Sequence, residues 1–192
     1  MNRLMTGELE VNFARDARTI TPDHDLLQGI GLVAVDVDNV VTGYQDNTPY
    51  PGFRELFEGY RDAGINPVLL SNLHDSERAK IVSEAMNTPI AHKWMPRDHN
   101  DESMPSKNHP DMYQWAIDNV GMGDNGNGAV MIDDQLKNVF GAEKVPEFTQ
   151  YIWTYPNGVK TDPRVFAGRT LEVPFGFGLI AVQRAHSWMS RS

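Results

Sequence analysis

The sequence predicts an α/β fold: a mostly parallel sheet with helices covering both faces. Two observations carry this expectation. Short apolar runs alternate with stretches of helical periodicity, the pattern of strand–helix–strand units. The runs ending near residues 36, 71 and 133 also each stop at polar groups, as strands do where a sheet edge meets a ligand.

Taken in order, residues 1–20 are mixed and weakly patterned. Thr21-Pro22-Asp23 predicts a helix start, with Thr21 as N-cap and Pro22 in the first helical position. Gly29-Ile-Gly31 leads into a buried strand, Leu32 to Val35 with Val37 just beyond. A polar loop, Thr42 to Tyr50, comes next. In Pro51 to Gly64, Phe53, Leu56, Phe57 and Tyr60 follow the i, i+3, i+4, i+7 spacing of an amphipathic helix, and Gly64 is a natural stop. Ile65 to Leu70 predicts the second strand, ending at Ser71-Asn72. Asp75 to Met86 predicts a helix and Pro89 to His92 a short strand. Residues 94–107 are polar and proline-bearing, an inserted loop. Asp111 to Val120 predicts a helix, and Asp124 to Gly128 a turn. Ala129 to Ile132 predicts a strand ending at Asp133-Asp134. A short helix near Leu136 to Phe140 and a strand at Tyr151 to Tyr155 follow. The tail from Asn157 is punctuated by Gly and Pro until an amphipathic stretch, Leu179 to Met189. No internal repeat is present. The expectation is one domain over 1–192, with a core at about 19–155, the 94–107 insertion and a 157–192 extension.

Composition narrows the function. The 192 residues suffice for one sizeable core. A net charge of −9 disfavours nucleic acid as partner, though a local basic groove would be compatible with it. There is no cysteine, so disulfides, thiolate metal sites and cysteine nucleophiles are excluded. No run approaches the ~18 apolar residues of a membrane span. The first ten residues lack the apolar core of a signal peptide, so a cytoplasmic location is expected.

Asp36 and Asp38 carry most of the chemical information. Two carboxylates one residue apart, at the end of a strand, repel each other unless a cation or a proton lies between them. They read either as a divalent-metal site or as turn residues favoured by Asp-Asn. Ser71, Asn72, Asp133 and Asp134 favour the first reading, because parallel strands bring their ends to one edge. Such an oxygen-rich set suits Mg²⁺ and, through it, phosphate groups.

With these residues in place, the chain resembles the haloacid dehalogenase (HAD) superfamily of phosphatases, from about Thr19 to Tyr155. Asp36-Val-Asp38 matches the family's first motif and Leu69-Leu-Ser71-Asn72 its second. Ile132-Asp-Asp134 matches the fourth, and Pro51 to Gly64 resembles the helix that follows the first. About 35 positions separate the first two motifs, too few for a large cap, so the chain is similar to the capless class. Ile20-Thr-Pro-Asp-His-Asp-Leu-Leu, Asp36-Val-Asp-Asn39 and Asp134-Gln-Leu resemble the YqeG-like subgroup, which includes phosphatidylglycerophosphate phosphatases.

The resemblance implies a three-layer Rossmann-like fold and a Mg²⁺-dependent phosphomonoester hydrolase. It implies that Asp36 is the nucleophile, forming an aspartyl-phosphate, and that Asp38 is the general acid and then the base. Asp36, the Asp38 backbone carbonyl and Asp134 would hold Mg²⁺. Ser71 would bind a phosphoryl oxygen, assisted by Asn72. The family's lysine would be Lys107, which directly precedes a helix, or else Lys93. Asp133 either binds metal through water or caps the next helix. Two positions depart from the family pattern. Val40 stands where threonine is usual, with Thr42 a possible substitute, and Asn138 stands nearest a usual second aspartate.

Other residues have two readings. His92, His99 and His109 flank the inserted loop and would converge on a metal, touch substrate or simply belong to the loop; His74, after Asn72, would touch substrate or merely follow the turn. Trp94, Met95 and Met104 either face substrate or pack the loop. Phe175-Gly-Phe177 and the final stretch either dock on the core or touch a membrane. The alternatives to a phosphomonoesterase are a non-catalytic HAD-like module and a 3′-end nucleic-acid phosphatase. The substrate would be phosphorylated, and an open site would admit large or lipid-linked phosphates.

Overall fold

The computed structural model describes residues 9–93, 95–96 and 103–155. They form a six-stranded sheet in the order β1-β6-β5-β2-β3-β4, with every neighbouring pair parallel. The strands are β1 (Glu10–Ala14), β2 (Ile30–Asp36), β3 (Asn66–Ser71), β4 (Ile90–His92), β5 (Gly128–Asp133) and β6 (Phe148–Thr154). The helices are α1 (Phe53–Asp62), α2 (Ser76–Met86), α3 (Pro110–Asn119) and α4 (Val139–Ala142). Helices flank the sheet, so the predicted Rossmann-like α/β architecture is the one observed.

β2 is the central strand, and all seven of its residues are buried. Side chains alternate between faces along a strand. Val33 and Val35 share one core cluster with Phe53, Phe57 and Tyr60 of α1 and Ala79, Val82 and Met86 of α2. Leu32, Ala34 and Asp36 therefore turn to the opposite face. A strand covered on both sides must be apolar throughout, which is why this run was the clearest in the sequence.

α1 buries Phe53, Phe57 and Tyr60, as its spacing predicts, and ends before Gly64, whose φ of 72° is the left-handed conformation of a helix stop. α2 is capped by Asp75, whose carboxylate accepts hydrogen bonds from the amides of Glu77 (3.0 Å) and Arg78 (3.1 Å).

Two expectations need correction. Thr21 does not cap a helix: its hydroxyl donates to Asp23 Oδ1 at 2.6 Å, and the chain forms only short 3-10 turns at Ala17–Thr19 and Asp25–Leu27. Buried Ile20 and Leu27 pin this segment on either side, and the Tyr60 hydroxyl donates to the Ile20 carbonyl, so no room is left for a longer helix. The weakly patterned N-terminal region contains β1, an edge strand on β6 with Glu10 exposed and Phe13 45% exposed. An edge strand with one covered face carries little apolar signal.

The inserted loop is closed at its base. Met104 N donates to Met95 O at 2.9 Å, and Pro96 and Ser103 form an antiparallel bridge. Met104 is buried, packing the loop onto the core. Trp94, His99, Phe175, Phe177 and Leu179 to Met189 lie outside the described residues. Among the described residues, no helix is long and apolar enough to cross a membrane.

Candidate active site

Because β2, β3 and β5 are parallel neighbours, Asp36, Ser71 and Asp133 arrive at one edge of the sheet. Asp36 is the last residue of β2 and is 2% exposed. Its Oδ1 accepts hydrogen bonds from the Val37 amide at 2.7 Å and from Lys107 Nζ at 2.6 Å. Lys107 Nζ also meets Asp133 Oδ2 at 2.7 Å. Of the two candidate lysines, Lys107 thus lies against Asp36, while half-buried Lys93 follows β4.

Three features hold Lys107 in place. Its amide donates to Asn72 Oδ1 at 2.8 Å, which ties the segment before α3 to the end of β3. Its side chain is only 1% exposed. Its carbonyl lies against Gly141 of α4, where an added Cβ would sit 2.2 Å from Lys107 O and 2.6 Å from the Tyr113 ring. Gly141→Ala must therefore push the lysine away from Asp36. We expect a loss of about 1–3 kcal/mol in urea unfolding together with reduced turnover. Unchanged values for both would show that α4 can move without disturbing the lysine.

Of the two readings the sequence left open for Asp133, the structure shows the capping one. Its Oδ1 accepts from the Gln135 amide at 2.7 Å, capping the following turn, and its Oδ2 accepts from Lys107 and from Asn138 Nδ2 (2.9 Å). Asp134 is fully buried, and its carbonyl accepts from Trp153 Nε1 at 3.1 Å. Tyr113 and Tyr151 close the rear, donating to the carbonyls of Asn138 (3.0 Å) and Gln135 (2.7 Å). Burial, and then the charges of Asp133 and Asp36, raise both phenols well above their ordinary pKa, so they stay neutral.

Asp36, Asp133 and Asp134 offer carboxylate oxygens that all lie within 4.8 Å of one another. One lysine cannot neutralise three carboxylates. Burial raises the pKa of Asp36 well above the usual carboxylate range; Lys107 opposes the shift, and Asp133 and Asp134 add to it. Burial would lower the pKa of Lys107, but Asp133 and Asp36 outweigh it and hold the ammonium charged above its ordinary value. The buried Asn138 Oδ1 has no hydrogen-bond partner among the described residues. An excess of buried negative charge beside an unused carbonyl-type oxygen fits a hard divalent cation.

Asp38 stands apart from this cluster. Its side chain, 20% exposed, pairs with Arg78 of α2 at 2.7 Å. Arg78 was missed in the sequence, although a signal existed: a cation in the first turn of a helix opposes the helix dipole and needs an acidic partner. Val40 is buried in the core. The Thr42 hydroxyl lies 3.0 Å from Gly43 O and 3.4 Å from Val37 O and accepts from Arg78 at 3.2 Å, so it stabilises the loop. Ser71 is buried, and its Oγ accepts from the Leu73 amide at 3.3 Å.

The histidines form no cluster among the described residues. His109 caps α3 through Nδ1, and His74 is exposed after the β3 turn. His92 pairs in register with Ser71, and its Nδ1 is buried without a partner among the described residues. Burial lowers its pKa, with Asp75 partly opposing. The unfolded chain then takes up the proton first as pH falls, so His92 costs stability below its ordinary pKa. Between about pH 7 and about pH 5, the melting temperature of His92→Gln should fall less than that of the parent. Parallel curves would show that His92 takes up its proton equally in the folded and unfolded chains.

A family model described as haloacid dehalogenase-like hydrolase matches residues 3–145. No curated protein and no solved structure matches the chain. The model covers most of the chain, including the strand ends at Asp36, Ser71 and Asp133 and the turn that carries Lys107. On that match and this architecture, the chain belongs to the haloacid dehalogenase-like hydrolases.

Proposed function

We propose that the chain is a Mg²⁺-dependent phosphomonoesterase of the capless class, similar to the YqeG-like subgroup, acting through an aspartyl-phosphate on Asp36. The supporting observation is the buried contact of Lys107 with both Asp36 and Asp133 at the edge where three strands end. Such a lysine balances the nucleophile's charge and the incoming phosphate.

Asp36 attacks phosphorus while the bond from phosphorus to the leaving oxygen breaks. Asp38 donates its proton to that oxygen, which departs as an alcohol. A water molecule, giving its proton to Asp38, then attacks the aspartyl-phosphate, releasing inorganic phosphate and restoring Asp36. Ser71 and Asn72 orient the phosphoryl oxygens, and Lys107 holds their charge. Asp36, Asp134 and the Asp38 carbonyl would hold Mg²⁺, with Asp133 and Asn138 beside them. When bound, the ion neutralises charge that these carboxylates cannot balance themselves.

About 35 residues separate Asp36 from Ser71, and in the described structure they form a loop, α1 and most of β3, so large or lipid-linked phosphates fit the reading. The test is phosphate release from a panel of phosphatidylglycerophosphate, sugar phosphates, nucleotides, phosphopeptides and a 3′-phosphorylated oligonucleotide. Mg²⁺-dependent release from one class, lost in Asp36→Asn, is the expected result. No release from any would favour a non-catalytic module. Mg²⁺ should also stabilise the fold, by about 2.7 kcal/mol at a hundredfold excess over Kd. An unfolding curve indifferent to Mg²⁺ and to chelator would remove the metal from the proposal.

A further inference from the structure

We infer that Arg78 is a positioning residue for proton transfer, holding the Asp38 carboxylate and its loop in the geometry that protonates the leaving group. The inference rests on the reading of Asp38 as general acid. Arg78 is 7% exposed although charged, and a buried guanidinium is tolerated only where its donors are engaged. Nη2 donates to Asp38 Oδ1 at 2.7 Å, to Asp46 O at 2.6 Å and to Thr42 Oγ1 at 3.2 Å, and Nε donates to Asp46 O at 3.1 Å. One side chain of α2 thus gathers three points of the loop that follows Asp36.

The loop needs this restraint. Asn39 (φ 64°) and Gln45 (φ 59°) both adopt the left-handed conformation, which is uncommon for residues other than glycine and costs free energy unless the surroundings enforce it. The turn at Gln45 brings its amide to Asp38 Oδ1 at 3.1 Å, beside the Arg78 contact. Oδ1 is therefore committed to the loop and to α2. The hydrogen bonds from Gln45 and Arg78 both fall on Oδ1, which leaves Oδ2 for the moving proton. Asp75 in turn fixes the first turn of α2 by capping the amide of Arg78 itself.

A residue that orients an acid matters most when the leaving group needs a proton. The experiment compares kcat/KM for p-nitrophenyl phosphate, whose leaving group departs readily as an anion, with that for phenyl phosphate, whose leaving group departs poorly. It uses the full chain with Mg²⁺. The parent, Arg78→Met, Arg78→Lys, Asp38→Asn and the Arg78→Met/Asp38→Asn double variant are measured. Arg78→Met should widen the ratio between the substrates by roughly tenfold or more, part of the range general acids supply. Arg78→Lys should recover part of the loss, and it carries the comparison if Arg78→Met does not fold. The double variant should be little worse than Asp38→Asn alone. Equal losses on both substrates, or additive losses in the double variant, would overturn the positioning role. If Asp38→Asn widens the ratio and neither Arg78 variant does, the inference falls while the phosphatase reading stands. If Asp38→Asn leaves the ratio unchanged, or the parent turns over neither substrate, the general-acid reading falls and this inference with it.

Discussion

Asp36→Asn is expected to lower kcat by roughly 10⁴-fold or more while raising the melting temperature of the metal-free protein. The first effect follows from the nucleophilic role proposed for Asp36, for which the rest of the site could not compensate. The second follows from charge. Asp36 is buried beside Asp133 and Asp134, with Lys107 shared between it and Asp133. Its pKa is raised in the fold, so the unfolded chain loses this proton at lower pH than the folded chain does. Ionisation of Asp36 therefore favours the unfolded state. The penalty grows as pH rises from the ordinary carboxylate range towards the raised value, and it persists above it. Asparagine keeps an oxygen for the Val37 amide and for Lys107 but carries no charge. A gain of about 0.5–2 kcal/mol is the usual size when a functional strain is relieved. Thermal unfolding in chelator measures it, and repeating the scan with Mg²⁺ should reverse the order, because the parent then gains the metal. A variant less stable than the parent in chelator would show that the carboxylate is a net stabiliser of the fold.

Lys107→Met carries the opposite expectation. It leaves three carboxylates within 4.8 Å of one another and no cation between them. Breaking a buried ion pair from one side typically costs about 3–5 kcal/mol. Activity should fall too, since the phosphate loses its balancing charge; a loss of about 10²–10³-fold matches the removal of one electrostatic stabiliser. The decisive measurement is the double variant Lys107→Met/Asp36→Asn. If the damage is unpaired charge, the second substitution restores part of the stability lost in the first. If the losses simply add, the lysine stabilises through packing of its stem and not through its charge.

The legible parts of the fold were those with an unambiguous physical signature. β2 is buried on both faces and reads as an apolar run, and α1 announces itself by spacing. The polar ends at Asp36, Ser71, Asp133 and Asp134 are neighbours by parallel pairing alone, which the sequence pattern already implies. β1 was illegible because one face of an edge strand is half solvated and Asn12 and Phe13 break its pattern. Thr21-Pro22-Asp23 predicts a helix start where the chain makes only short turns, because Thr-Pro-Asp opens turns as readily as helices. Lys107 was identifiable only by its place before α3, since nothing local distinguishes a buried lysine from a solvated one. Arg78 escaped because its partner lies 40 residues away, in a loop with no periodicity.

The anchoring of Lys107 has one consequence for how this protein could change. The segment upstream of it is fastened twice, at the Met95–Met104 rung and again where Asn72 grips the Lys107 amide. Sequence between Pro96 and Ser103 can then lengthen, shorten or be exchanged without transmitting the change to the charge balance at Asp36. The scaffold thus separates a segment held against Asp36 from the stretch beyond the Met95–Met104 rung.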